Sequence, residues 1–265
     1  MTYFISTNFP LFDAHFHIID PQFPLIANQG YIPDAFTVQD YLQACPKNVL
    51  GGAVVSGSFQ AFDQMYLINA LNQLGPNYVG VTQLPASVSD EEIIDLHQQG
   101  VRAIRFNLNR GGSEGIDLLE SVAHRVHHLV GWHVELYVDA QTLTNLLPLL
   151  ESLPQIVIDH LGLSQEGLPT LLKLVKAGAY VKATGFGRVS LNVPKTLRII
   201  AELNPHAILF GTDLPSTRAP RPFLTSDLDL IIDALEEQFA HFAFYENAIN
   251  LYKPINAQML QTKPS

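Results

Sequence analysis

The chain alternates short runs of β-branched and other apolar residues with stretches whose apolar residues recur at helical spacing. Eight such runs within 265 residues predict a single α/β domain over residues 1–265, folded as a (β/α)8 TIM-type barrel, either regular or distorted. The alternative is an open doubly wound sheet, which usually carries a glycine-rich turn after its first strand, where this chain has histidines. The predicted strands are residues 11–18, 52–56, 79–84, 101–107, 133–139, 156–160, 180–185 and 208–213.

The composition narrows the class of protein. Hydrophobic residues make up 47% and charged residues 15%, which excludes a disordered chain, and the net charge of -10 argues against a nucleic-acid surface. No apolar run approaches the ~18 residues of a membrane span, and residues 1–5 lack the basic start of a secretion signal. The single cysteine, Cys45, excludes an intramolecular disulfide. We therefore expect a cytoplasmic protein that binds neither nucleic acid nor membrane.

Polar residues collect near the carboxyl ends of the predicted strands. They occupy alternate positions, whose side chains share one face of each strand. In the first strand Asp13, His15 and His17 share one face, and in the fourth Arg105 and Asn107 do so. Because the active sites of these barrels lie where the strands end, we expect a polar site at this rim. Strands five to eight contribute Glu135, Tyr137, Asp139, His160, Lys182, Thr184 and Asp213.

The pair His15-x-His17 is the sharpest of these signals, since two imidazoles on one strand face can converge on one metal ion or one substrate atom. A pair of hydrogen-bonded core histidines is the alternative explanation. That explanation weakens because His160 and Asp213 end two further strands. Four polar groups at rim positions of three strands predict a functional site.

These motifs together resemble the amidohydrolase superfamily, in its amidohydrolase-related branch, which contains pyrone-dicarboxylate and sugar-lactone hydrolases. The resemblance spans nearly the whole chain, and its motifs come in the expected order. A late segment, residues 246–252, is similar to the closing helix of that branch. The motifs are Asp13-x-His15-x-His17, residues 100–107, residues 158–162 and residues 211–215.

The resemblance implies a hydrolase that opens a lactone or related cyclic ester of a small carboxylated molecule. Asp213 would act as general base towards water, while His15, His17 and His160 would polarise the carbonyl. A single-metal, non-oxidative decarboxylase of an aromatic or unsaturated acid is the alternative within the same branch. A binding barrel without turnover is a third hypothesis.

The metal requirement follows from the strand positions that the resemblance aligns. Two-metal members of the superfamily carry a bridging lysine or glutamate on strand four and a histidine on strand five, where this chain has Arg105 and Tyr137. A cation there opposes a second metal ion. The first expectation is a site that requires no cofactor, as in the lactonase-like members. One divalent ion, Zn²⁺, is the alternative, held by His15, His17, His160 and Asp213.

Arginines near the strand ends predict an anionic small-molecule substrate, because a guanidinium matches a carboxylate. By resemblance, Arg105, Tyr137 and Arg188 match substrate-binding positions of the pyrone hydrolases, and Arg218 follows strand eight. Surface salt bridging is the alternative for Arg110 and for one of Arg218 and Arg221. Leu163 stands where those hydrolases have a further arginine, which argues against the same dicarboxylate substrate.

Three further expectations concern side chains outside the rim set. Lys182 is expected to form an interior ion pair with Glu135 or Asp13. Asp13 is expected either to fix a histidine tautomer or to make a structural hydrogen bond within the barrel. Apolar residues around positions 239–245 would suit a homodimer face.

Overall fold

The computed structural model describes residues 9–256, and these form an eight-stranded parallel sheet whose strands follow one another in chain order. The predicted (β/α)8 barrel is therefore confirmed. Residues 1–5, on which the absence of a secretion signal was inferred, lie outside the described residues. The strands are Leu11–Phe16 (β1), Val49–Val55 (β2), Tyr78–Thr82 (β3), Val101–Asn107 (β4), His133–Tyr137 (β5), Ile156–Ile158 (β6), Tyr180–Ala183 (β7) and Ile208–Phe210 (β8).

Helices cover the outside of the sheet and are packed against it by their apolar faces. The helix after β3 begins at a capping box, in which the Ser89 hydroxyl accepts from the Glu92 amide at 3.2 Å. None of the helices found in residues 9–256 could cross a bilayer. The helices are Val38–Ala44 (α1), Met65–Leu74 (α2), Asp90–Gln98 (α3), Leu119–Val130 (α4), Leu147–Ser152 (α5), Leu168–Lys176 (α6), Val193–Leu203 (α7), Ser226–His241 (α8) and Asn247–Tyr252 (α9).

The barrel closes between β1 and the segment that follows β8. The amide of Asp213 donates to the carbonyl of His15 at 2.7 Å, and the amide of His17 donates to the carbonyl of Leu214 at 2.8 Å. These two bonds hold the strand-one histidines beside the strand-eight aspartate. The closure of the barrel and the assembly of its rim therefore depend on the same backbone contacts.

Several strands end earlier than predicted, because their last polar residues leave the sheet to form the rim. β6 ends at Ile158 rather than at residue 160, and β8 ends at Phe210 rather than at residue 213. His160 and Asp213 then take positive φ values, 51° and 60°. Positive φ values are uncommon for residues other than glycine, and they often mark functional positions.

The prediction that Asp13 shares a face with His15 and His17 is wrong. The pairing of β1 with β2 has an irregularity between Asp13 and Phe16, which breaks the strict alternation of sides. Asp13 instead accepts hydrogen bonds from the amide and hydroxyl of Thr212, at 2.8 and 2.6 Å, and from the Tyr41 hydroxyl at 3.2 Å. Of its two expected roles, the contacts match the structural hydrogen bond.

The amino-terminal end of the barrel is plugged by α9. Its Tyr252 stacks on Phe12 with ring centroids 5.5 Å apart and donates to Glu135 at 2.5 Å. The preceding stretch of aromatic residues was predicted to suit a dimer face. Phe244 and Tyr245 are buried against the chain's own barrel, so they leave little apolar surface there, and a homodimer stays a prediction.

Candidate active site

A cleft of about 400 Å³ opens at the carboxyl ends of the strands, where the sequence predicts the site. All the predicted catalytic and substrate-binding residues except His15 line it, and His15 lies one layer deeper, fully buried. The eight strands therefore bring the predicted residues together, although they are scattered over two hundred positions of the chain. The lining residues with predicted roles are His17, Arg105, Tyr137, His160, Arg188, Asp213 and Arg218.

Three imidazoles converge on one oxygen of Asp213. The Nε2 atoms of His15, His17 and His160 lie 3.8, 3.9 and 4.0 Å from Asp213 Oδ1. Both His15 Nε2 and Asp213 Oδ1 are buried and have no hydrogen-bond partner within the described residues. Buried polar atoms are rarely left unpaired, so the space between them suits a water molecule, a substrate atom or a metal ion.

His17 presents a lone pair to this space. Its Nδ1 lies 2.7 Å from the carbonyl oxygen of Val55, which can only accept, so Nδ1 carries the proton. Burial, reinforced by the neighbouring His15 and Arg105, lowers the pKa of His17 well below its ordinary value. The ring is therefore neutral near pH 7, and its Nε2 is an acceptor.

His160 is held from behind by the strand-seven residue Thr184, whose hydroxyl lies 2.6 Å from Nδ1. A hydroxyl can donate or accept, so this contact allows either tautomer. Burial, followed by the charge of Arg188, lowers the pKa of His160 well below its ordinary value. Gly185 is required here, because a Cβ at that position would lie 2.8 Å from His160 Nδ1 and 2.9 Å from Arg188 Nε.

Asp213 is paired with an arginine that was predicted to bind substrate. Arg188 Nε donates to Asp213 Oδ2 at 2.9 Å, and a terminal nitrogen of the same guanidinium contacts the same oxygen. Arg188 also lines the cleft. Its charge is thus compensated by Asp213, which the spacing of these residues in the sequence does not reveal.

A chain of paired charges runs through the barrel interior beneath the histidines. Lys182 forms one of its two predicted ion pairs, because its Nζ contacts Glu135. The same nitrogen lies 3.6 Å from Asp159 Oδ1. Arg105 donates to Asp159 Oδ2 from Nε at 3.1 Å and from a terminal nitrogen at 2.8 Å. Burial raises the pKa values of Glu135 and Asp159, but Lys182 holds that of Glu135 below its ordinary value, and His15, Lys182 and Arg105 hold that of Asp159 well below it. The interior is therefore charged but internally balanced.

Two arginines at the mouth of the cleft have no acidic partner within residues 9–256. Arg218 stacks over the ring of Tyr31 at 4.3 Å and donates to the side-chain oxygen of Asn28 at 3.2 Å. Arg110 forms no ion pair within this part of the chain, so the surface salt bridge considered for it is not found there. Burial, followed by the charge of Arg110, lowers the pKa of Arg218. Arg221, by contrast, makes two bonds to Asp227 at 2.8 and 2.9 Å.

A sequence model of the amidohydrolase family matches residues 12–253. The chain belongs to the amidohydrolase family. This assignment confirms the resemblance carried by the four strand-end motifs and makes the chain a member of a family of hydrolytic enzymes.

Two relatives of this amidohydrolase have named activities. A 2-pyrone-4,6-dicarboxylate hydrolase of Comamonas testosteroni is 29% identical, over 77% of this chain and 76% of that protein. A 4-sulfomuconolactone hydrolase of Rhizobium radiobacter is 25% identical, over 77% of this chain and 75% of that protein.

Solved structures share the fold. A probable 2-pyrone-4,6-dicarboxylic acid hydrolase of Acinetobacter baumannii, crystallised with citric acid bound, superposes with a TM-score of 0.79 at 23% identity and covers 92% of this chain and 99% of that one. An apo structure from Agrobacterium tumefaciens gives 0.81 at 22% identity, covering 92% and 96%. At 22–23% identity, the structural similarity establishes that this chain shares the barrel fold of these proteins.

Amidohydrolases are often metal-dependent, and the donor set of this one fits a single divalent ion. His15, His160 and Asp213 each offer a ligand atom, and these atoms lie within 4.8 Å of one another. The lone pair of His17 adds a fourth donor, and the unpaired His15 Nε2 and Asp213 Oδ1 face the same space. A second group of possible ligands, His15, Glu135 and Asp159, is already neutralised by Lys182 and Arg105, which opposes a second ion.

The sequence did not single out three of the residues that shape this amidohydrolase's site. Asp159 directly follows β6 and precedes His160 in the quoted motif, but strand alternation would place only one of these two neighbours on the inward face. Asn28 and Tyr31 lie in the long loop after β1, where neither periodicity nor spacing carries a signal. Only the folded chain brings that loop against Arg110 and Arg218.

Proposed function

We propose that this amidohydrolase opens the ring of a lactone or related cyclic ester that carries carboxylate groups. The observation that carries the proposal is the free Oδ1 of Asp213, surrounded by three histidine Nε2 atoms at 3.8–4.0 Å. Two arginines, Arg110 and Arg218, line the same cleft and have no acidic partner in the described part of the chain. The names of the two relatives, a pyrone dicarboxylate hydrolase and a sulfomuconolactone hydrolase, support an anionic cyclic ester.

Asp213 serves as the general base. Its Oδ1 and the His17 Nε2 lone pair are both acceptors and lie 3.9 Å apart. One water molecule can donate a hydrogen to each, which leaves an oxygen lone pair free to attack a carbonyl carbon. As the carbon–oxygen bond forms, the water proton passes to Asp213. This revises the role expected for His17 as a donor to the carbonyl, because its tautomer has no proton on Nε2.

His15 and His160 remain as donors to the carbonyl oxygen. Negative charge grows on that oxygen as water adds, and a fixed N–H pointing at it stabilises the transition state more than the ground state. The rings are held in place, with centroids 4.8 Å apart. Collapse of the adduct then breaks the ring ester bond, and the released alkoxide or enolate takes up the proton held by Asp213.

A single divalent ion, when bound by His15, His17, His160 and Asp213, would supply Lewis-acid polarisation of the carbonyl. Arg188 has a role that does not depend on such an ion, since it compensates the charge of Asp213 and fixes which carboxylate oxygen faces the histidines. We therefore assign Arg188 to holding the base rather than to binding the substrate.

Substrate carboxylates bind to Arg110 and Arg218, with Arg105 and Tyr137 forming the wall below. Arg105 lies over the Tyr137 ring at 5.2 Å and is already paired with Asp159, so it offers less free charge. Arg110 and Arg218 are close enough to repel one another, and an anion between them removes that repulsion. A charged substrate is thus preferred over a neutral lactone.

The test is acid release, followed in a pH-stat, against paired lactones with and without a ring carboxylate. We expect Arg110→Gln and Arg218→Gln each to raise KM for the charged lactone by about tenfold, as loss of one charge-assisted contact implies. Arg198→Gln on the outer helix α7 is the matched control, with the same charge change and no effect. Equal turnover of charged and neutral lactones, or release of CO₂ instead of acid, would contradict the proposal.

A further inference from the structure

A buried lysine lies directly behind the catalytic histidines. Lys182 projects from β7 into the barrel interior and is fully buried. Its Nζ contacts Glu135, lies 3.3 Å from His15 Nδ1 with hydrogen-bond geometry, and lies 3.6 Å from Asp159 Oδ1. The ammonium group is thus within hydrogen-bond distance of Glu135 and His15, and it lies just beyond that distance from Asp159.

The contact with His15 has a fixed polarity. An ammonium group donates and cannot accept, so His15 Nδ1 must offer its lone pair to Lys182. A ring whose Nδ1 accepts a hydrogen bond is not the doubly protonated imidazolium, so His15 in this contact is neutral. A neutral ring with an unprotonated Nδ1 carries its single proton on Nε2.

Asp159 offers the opposite arrangement. Its Oδ1 lies 3.4 Å from His15 Nδ1 and would accept from that nitrogen if the proton moved there. Within the described residues these two atoms lack hydrogen-bond geometry, whereas Lys182 Nζ and His15 Nδ1 have it, so the geometry favours Lys182 over Asp159. An N–H on Nδ1 would also point towards the ammonium, which is electrostatically unfavourable.

We propose that Lys182 is a positioning residue that holds His15 in the tautomer with its proton on Nε2. His15 then directs an N–H at the space beside Asp213 Oδ1, 3.8 Å away, whereas His17 directs a lone pair at the same space. His15 therefore presents a hydrogen-bond donor to this space, and His17 presents an acceptor. The catalytic consequence, donation by His15 to the developing oxyanion, rests on the proposed lactone hydrolysis, but the tautomer does not.

The same tautomer also affects metal binding. An Nε2 that carries a proton offers no lone pair to a cation, so His15 can bind one only after its proton moves to Nδ1, towards Asp159. Lys182 therefore biases the site towards its metal-free form.

The test uses the full chain with ¹⁵N-labelled histidine, treated with chelator, and records long-range ¹H–¹⁵N spectra at pH 7.5. The His15 signals are assigned by their loss in His15→Asn. The altered protein is the double variant Lys182→Met with Glu135→Gln, which removes the lysine without leaving Glu135 as an unpaired buried charge. Glu135→Gln alone is the control, because it keeps the bond from Lys182 to His15.

We expect His15 to show a protonated Nε2 in the unaltered chain and in the control, and a protonated Nδ1 in the double variant. A proton on Nδ1 in the unaltered chain, or no change in the double variant, would overturn the proposal. Kinetics on a carboxylated lactone provide the second measurement: relative to the control, kcat of the double variant should fall about tenfold or more at similar KM. Failure to find a lactone substrate would count against the proposed function and leave the spectroscopic result standing.

Discussion

Arg188 binds Asp213 through one carboxylate oxygen only. Both its Nε, at 2.9 Å, and a terminal nitrogen reach Oδ2, and the guanidinium is further held by the carbonyl of Thr217 at 3.3 Å. The other oxygen, Oδ1, is left free and faces three imidazole nitrogens. One oxygen of Asp213 is thus used for orientation, and the other is available for proton transfer.

Replacing the base tests the centre of the mechanism. Asp213→Asn should lower kcat by about 10²–10⁴-fold, the contribution typical of a positioned general base. Asparagine tolerates the positive φ of 60° at this position, so circular dichroism and thermal melting should show a folded protein. Unaltered turnover by folded Asp213→Asn would exclude this residue as the base.

Removal of Arg188 distinguishes its proposed role, holding the base, from the substrate binding predicted from the sequence. Arg188→Met should reduce kcat at least about tenfold with little change in KM, because the base loses its orientation and counter-charge. The matched control is Arg221→Met, since Arg221 is also paired with an acid, Asp227. A large rise in KM at constant kcat would instead support the role in substrate binding predicted from the sequence.

Gly185 should tolerate no side chain. In Gly185→Ala the new Cβ would lie 2.8 Å from His160 Nδ1, so the ring must move and kcat should fall by about tenfold or more. Gly131→Ala is the control, because Gly131 also has a positive φ but has nothing within 4 Å of the added atom. Urea titrations check that both variants are folded, and equal kcat values for the two folded proteins would contradict this account.

Acid should destabilise the fold through its buried histidines. Burial lowers the pKa values of His15, His17, His133 and His160 below 6.5, so the unfolded chain takes up protons first as the pH falls, which favours unfolding. Asp13 acts in the opposite direction, because burial raises its pKa to about 6 and the folded chain then binds the proton first. The loss of stability caused by the four histidines exceeds the gain contributed by Asp13.

The free energy of unfolding should therefore drop between pH 7 and pH 5.5, by an amount on the order of 3 kcal/mol. Urea titrations at the two pH values measure it. His17→Gln should reduce the drop, while the same change at the exposed His128 should leave it intact. A stability that is constant or rises over this interval would show that the histidines are not the dominant titrating groups.

Asn28 should affect substrate binding without touching the reacting atoms. Its side chain donates to the Arg110 carbonyl at 3.0 Å and accepts from Arg218 at 3.2 Å, so it ties together the two loops that carry the unpaired arginines. Asn28→Ala should raise KM for a carboxylated lactone several-fold, roughly the worth of one or two hydrogen bonds, and leave kcat unchanged. Gln22→Ala in the same loop serves as control, and an equal KM for the two variants would contradict the role of Asn28.

The site was predicted in part. The motifs at His15, His17, His160 and Asp213 mark rim positions because strand alternation and strand ends are local properties of a sequence. Asp13 was misplaced because a local irregularity in β1 shifts the alternation, and no residue type announces it. The pairing of Arg188 with Asp213 could not be predicted, because the acid comes from a different strand end of the barrel.

The sequence by itself determined the barrel, the family and the set of polar groups at its rim, since each follows from periodicity or from motifs that are contiguous in the chain. Only the tertiary structure decided which nitrogen of each histidine faces the cleft and which arginines remain unpaired. Val55 sets the proton on His17, Lys182 faces His15, and Asp213 neutralises Arg188. These partners are far apart in sequence, and hydrogen bonds and ion pairs act only over a few ångströms, so the chemistry of each group was fixed when the barrel closed.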